Sequence, residues 1–177
     1  TKGTSWIGNL FINEQLAPQL GISQTQYRTM RQTMQDFLLA CDTQKQGLAI
    51  AGIDFAIGKI GGKFGETVLL GIQDPNISFN GAEFLRVFMQ KTSLKTGIAE
   101  DKIFAATWVF VPKKDFSLAL LTEILEKQAI ENTFSTAIAV VPNFWAMIGV
   151  AATTYEQLLK HLIHLQEYLA TFEKQNA

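Results

Sequence analysis

The stretch from Lys102 to Lys174 constrains the fold more than any other part of the chain, because its apolar pattern switches repeatedly between the two-residue and the 3.6-residue period. Lys102 to Pro112 is rich in β-branched and aromatic residues and stops at a proline, as a strand does. Phe116 to Lys127 has helical spacing. Thr133 to Val141 and Trp145 to Ala152 read as two strands joined at Pro142-Asn143, a turn-forming pair. Thr154 to Lys174 is a long amphipathic helix with an apolar stripe of Leu158, Leu162, Leu165, Leu169 and Phe172. The unit 102–174 is therefore βαββα, and its helices must bury their stripes against its strands.

The rest of the chain extends this pattern. Residues 4–43 read as a helical segment. Ile7, Leu10 and Phe11 suit a short first helix, Pro18 and Gly21 punctuate it, and Ser23 is placed to cap a second helix carrying Tyr27, Met30, Met34, Phe37 and Leu38. Residues 48–73 read as a hairpin. Within it, Leu48 to Ile60 fits a strand face through Ile53, Phe55 and Ile57, and also a helix through Ile50, Ile53, Ile57 and Ile60. Gly52 and Gly58, at about 1 kcal/mol each in a helix interior, favour the strand. Residues 81–95 read as a helix with Phe84, Leu85, Phe88 and Met89 on one side. The expected whole is a single α+β domain, 1–177, with a mostly antiparallel sheet of about five strands covered by helices. The helical reading of 48–60 would leave a smaller sheet.

Composition removes several classes of function. At 177 residues, 47% of them hydrophobic, the chain can bury a core and is not disordered. A net charge of -1 argues against non-specific nucleic-acid binding, which needs a strong positive balance. Cys41 stands alone, so neither a disulfide framework nor a cysteine cluster for zinc is expected. The longest apolar stretch, Leu48 to Ile57, contains Asp54 and is too short to span a bilayer. Thr1 to Ser5 lacks an apolar signal core, so a cytoplasmic setting without membrane contact is expected.

Four local patterns carry chemistry. Leu16 to Met30 resembles a helix-turn-helix, with Ala17, Gly21, Ile22 and Tyr27 at its small, turn and core positions. Arg28 and Arg31 would then meet phosphates, although Pro18 falls inside the first helix. Gly58 to Gly65 offers flexible amides and two lysines, so an anion would be held by Lys59, Gly61, Gly62 and Lys63. Phe64 stands where a phosphate loop needs Ser or Thr. His161 and His164 share a helix side with Glu167 but lack the further ligands of a closed metal site, so solvated or capping roles and no metal are expected. Phe144 and Trp145 follow the Pro142-Asn143 turn as candidate anchors for a protein partner.

The βαββα order also resembles part of a ferredoxin-like sandwich. ACT-type small-molecule sensors of that kind place a ligand turn after their first strand. Here that turn is Val111 to Asp115, with Lys113 and Lys114. The resemblance is one of element order: Phe116-Ser117 replaces the usual glycine, and the closing strand is missing after Lys174.

No serine or cysteine nucleophile sits in a recognisable elbow, and no cofactor motif is present. The sequence thus favours a non-enzymatic binding or regulatory module acting through a protein partner or as a homo-oligomer. The alternatives are a helix-turn-helix DNA-binding regulator, and a sensor of an anion or amino acid or an unrecognised enzyme.

Overall fold

The computed structural model describes residues 8–42, 52–62, 65–76, 81–112 and 115–175. Among them the chain is α+β. Its elements are β1 (Gly8–Leu10), α1 (Gln24–Asp42), β2 (Gly52–Gly62), β3 (Gly65–Asn76), α2 (Gly81–Thr96), β4 (Phe104–Phe110), α3 (Leu118–Lys127), β5 (Thr133–Val141), β6 (Trp145–Ala152) and α4 (Tyr155–Gln175). Two compact units result: Thr1–Phe11 with Gly81–Ala177, and Ile12–Asn80.

The first unit is built on a four-stranded antiparallel sheet in the order β1-β4-β6-β5. Alternation along the strands gives it two apolar faces. Ala106, Ala137, Ile148 and Val150 meet Leu121, Ile124 and Leu125 of α3 and Leu158, Leu165 and Leu169 of α4. Ala105 and Ala151 face the other way, against Leu85, Phe88 and Met89 of α2. Small side chains at the sheet positions let the helices approach closely. On the α2 side the approach is close at Gly149, where an added Cβ would lie 2.9 Å from the Phe88 ring. Ser117 caps α3 by accepting from Leu120 N–H at 3.1 Å, and Thr154 caps α4 by accepting from Gln157 N–H at 3.2 Å.

One edge of this sheet corrects the sequence reading. The spacing of Ile7, Leu10 and Phe11 predicts a helix, yet Gly8–Leu10 pairs with β4. Leu10 packs with the α3/α4 side and Phe11 with the α2 side, so the local helical spacing gives way to strand alternation. Gly8 has φ 145°, and a Cβ there would collide with the Thr107 carbonyl. Pairing across 98 residues, closed by Asn9 N–H donating to Thr107 Oγ1 at 3.1 Å, overrides the short-range signal.

In the second unit, Ala17–Leu20 is a 3-10 turn that ends on left-handed Gly21, with φ 77°. Ser23 and Gln26 then form a capping box at the start of α1. Gln26 N–H donates to Ser23 Oγ at 3.2 Å, and Ser23 N–H donates to Gln26 Oε1 at 2.7 Å. Replacing Ser23 by alanine is expected to cost about 1 kcal/mol in urea denaturation of the helical signal, with Ser23→Asn close to neutral. Residues 52–60 are strand, as the glycines favoured; 48–51 lie outside the described residues. β2 and β3 form their own two-stranded sheet, from Gly52↔Asn76 to Gly62↔Gly65, with a register shift between Asp54 and Phe55.

Candidate functional site

The outer end of the β5–β6 hairpin gathers apolar side chains that the core does not take up. Val141 pairs with Trp145, and Phe110 pairs with Ala146, so Val111, one residue past β4, stands level with Trp145. Val141 and Trp145 are thus paired at the hairpin end, with Val111 just past β4 and Phe144 in the turn. Phe144 is 67% exposed and Val111 69%, while Trp145 is half-buried. A single exposed apolar side chain is ordinary in any protein; three exposed ones, Val111, Val141 and Phe144, at one end of a sheet stand out.

The tip is held in shape. Phe144 N–H donates to the Val141 carbonyl at 3.1 Å, Pro142 presets the turn, and Asn143 adopts φ 59°, the left-handed conformation asparagine tolerates. Asn143 N–H also donates to Asp115 Oδ1 at 2.7 Å, tying the turn to the segment after β4. Nothing in the sequence pattern signals this Asp115 contact.

At the opposite end of β5 a groove of about 500 Å³ opens between α2, the end of α3 and the outer edge of β5. Phe88 and Phe134 supply apolar wall, and Lys91, Thr92, Lys95 and Thr136 supply polar groups. No strand among the described residues pairs with that edge of β5. This region escaped the sequence reading; the trace it leaves in the sequence is the repeat Lys91-Thr92 and Lys95-Thr96, which sets two ammonium-hydroxyl pairs one helical turn apart.

His161 on α4, expected in a solvated or capping role, is fully buried. Its position, three residues after Leu158 and four before Leu165, is as central in the stripe as that of Leu162. Ser135 on β5 makes that burial tolerable, with Oγ 3.2 Å from His161 Nε2 and 3.1 Å from the Leu125 carbonyl. His161 Nδ1 is buried without a partner. A bare acceptor is cheaper to bury than an unpaired N–H, so the proton belongs on Nε2, donated to Ser135, whose own proton goes to Leu125. Burial, and secondarily the neighbouring His164, pushes the His161 pKa down to about 4. In this arrangement Ser135 is no activated nucleophile: its proton points at a carbonyl, and no carboxylate among the described residues orients the imidazole. His164 is half-buried, with Nε2 3.2 Å from Gln128 Oε1.

The remaining candidates are dispersed. Arg28 is engaged by Glu14, its Nε 2.8 Å from Oε1, and Arg31 lies 6.0 Å over the Tyr27 ring. A 3-10 turn of four residues stands where a helix-turn-helix needs its first helix. Lys59, Gly61 and Gly62 are ladder residues of β2, with Glu66 in register opposite Gly61. Lys63, Lys113 and Lys114 lie outside the described residues. Among the described residues, no group of three or more His, Cys, Asp or Glu could hold a metal ion, and no helix is long and apolar enough to cross a membrane.

No family model matches the chain, and neither a curated protein nor a solved structure is significantly similar to it.

Proposed function

We propose that this chain is a non-enzymatic binding module that engages a protein partner through the tip of the β5–β6 hairpin. The observation that carries the reading is the exposure of Phe144, at 67%, on a turn tied down by Asp115. An aromatic anchor on a fixed turn loses little conformational freedom on docking, which is what makes such residues dominate interfaces. Val111, Val141 and Trp145 supply the surrounding apolar contact.

The frame behind the tip is read as ferredoxin-like. β4, α3, β5, β6 and α4 follow that order, β6 lies between β4 and β5, and α3 and α4 share one face. The place of a closing strand beside β4 is taken by β1, which joins the free side of β4 in the antiparallel sense. The frame positions the tip and does not itself specify a function.

The test is affinity capture from source-cell extract with the full chain, comparing Phe144→Ala with Leu94→Ala, a control at an 81% exposed position on α2. Phe144→Ala is expected to weaken one captured partner about 30-fold, equivalent to the roughly 2 kcal/mol of an interface anchor. Leu94→Ala should retain that partner, and the melting temperature should not change in either variant. If the partner is a second copy, sedimentation velocity will show a dimer that Phe144→Ala dissociates. A capture profile and a sedimentation profile both indifferent to Phe144→Ala would reject the reading.

A further inference from the structure

We propose that the groove between α2, α3 and the edge of β5 is a binding site for a small organic monocarboxylate with an apolar body, independent of the hairpin tip at the other end of β5. Its volume of about 500 Å³ falls within the range of small-molecule pockets. Phe88 and Phe134 offer a wall for an aliphatic or aromatic body.

The polar groups divide into those already used and those left over. Thr96 Oγ1 donates to the Thr92 carbonyl at 2.8 Å and accepts from Ile98 N–H at 3.2 Å. Thr133 Oγ1 is committed in the same way to Ile130, and Lys95 lies 3.7 Å from Glu126. Lys91 has no carboxylate partner among the described residues. The Thr92 hydroxyl makes no hydrogen bond among them either, and that of Thr136 has only a 3.5 Å approach to the adjacent Ala137 carbonyl. The ladder adds a backbone donor. Thr153 N–H donates to the Asn132 carbonyl, so by antiparallel alternation the amide of Ser135 points away from β6, toward the open edge.

Charge selects the class of ligand. Lys95 and Glu126 offset one another, which leaves the single positive charge of Lys91. The C-terminal ends of α2 and α3 both meet the groove, and their negative poles disfavour any anion, more so the higher its charge, so one carboxylate is as much as the Lys91 ammonium can offset. One ammonium, two hydroxyls and one amide suit a carboxylate rather than a phosphate.

The test titrates the 177-residue chain, isotopically labelled, with octanoate and separately with 1-octanol, and follows backbone amide resonances. Octanoate is expected to shift the amides of residues 91–96 and 133–136 and to bind about tenfold more tightly than octanol, the margin of one charge-assisted hydrogen bond. Lys91→Met should remove that margin while leaving octanol binding unchanged, and Thr136→Trp should block both ligands. The proposal is overturned if octanoate moves no amide in these two segments, if octanol binds equally well, or if Lys91→Met binds octanoate as the unaltered chain does. Phe144→Ala leaves this readout untouched, so the two sites fail or succeed separately.

Discussion

Replacing Gly149 by valine is expected to destabilise the unit built on the four-stranded sheet by about 1–3 kcal/mol or more, read from the midpoint of urea denaturation. The position lies in the middle of β6, where a residue with a side chain would normally stabilise a strand by roughly 0.5–1 kcal/mol over glycine. Here the sign reverses. A Cβ would stand 2.9 Å from two atoms of the Phe88 ring and 2.9 Å from Ile138 Cδ1. The Ile138 methyl is the end of a flexible chain and can turn aside. Phe88 cannot do so cheaply, because it is 7% exposed and packed with Leu85, Met89 and Ala151. The partner substitution supplies the check: with Phe88→Ala in place, Gly149→Val should cost far less than alone, since the two changes share one contact. Gly149→Ala that proves stabilising, or costs that simply add, would show that α2 does not sit on the sheet in this way. Because Phe88 also walls the groove, Gly149→Val is expected to disturb octanoate binding as well.

The strands on either side of that contact were readable because local signals agreed. β5 and β6 begin and end where their β-branched and apolar runs do, and Pro142-Asn143 marks the turn between them. α2 and α4 were readable from their stripes, with Thr154 as the cap of α4. β1 was not readable. Three residues carry no period, and their pairing with Thr107 is set by contacts some hundred positions away. The expected sheet of about five strands accordingly resolves into four strands that include β1, with the β2–β3 hairpin as a sheet of its own.

The candidate sites divide in the same way. The exposure of Phe144 beside a turn was legible because a turn signal next to an aromatic is a local feature; the Asp115 contact that fastens the turn was not. The groove was not legible: Lys91 and Thr92 on α2 meet a wall supplied by residues 133–136, some forty positions on. His161 was misplaced because its residue type suggested solvent, while its helical phase put it among Leu158 and Leu165. Phase decides such a position when the facing strand supplies a hydroxyl, and Ser135 does so.

That buried imidazole makes the fold sensitive to acid within a defined window. In the unfolded chain His161 takes up its proton near the ordinary value of 6.5; in the fold it resists until about 4. Between these values the unfolded state binds more protons, so stability is fully present above pH 6.5 and is lost as the pH falls toward 4. A difference of this size amounts to about 3 kcal/mol, comparable with a core truncation. The structural cause is that a proton on Nδ1 would be buried with no acceptor, with His164 stacked 6.3 Å away. Further down, the Arg86 guanidinium, which holds the Glu83 carboxyl below its ordinary 4.5, adds a second loss as that carboxylate is neutralised. His161→Leu separates the two. It keeps an apolar side chain in the stripe and leaves the Ser135 hydroxyl its bond to Leu125, so folding should survive. Urea denaturation at a series of pH values is expected to show the unaltered chain losing stability steadily from pH 6.5 to 4, while His161→Leu stays level until the carboxylates titrate. Parallel curves for the two proteins would mean that His161 is reached by water, and the tautomer assigned to it would fall with the prediction.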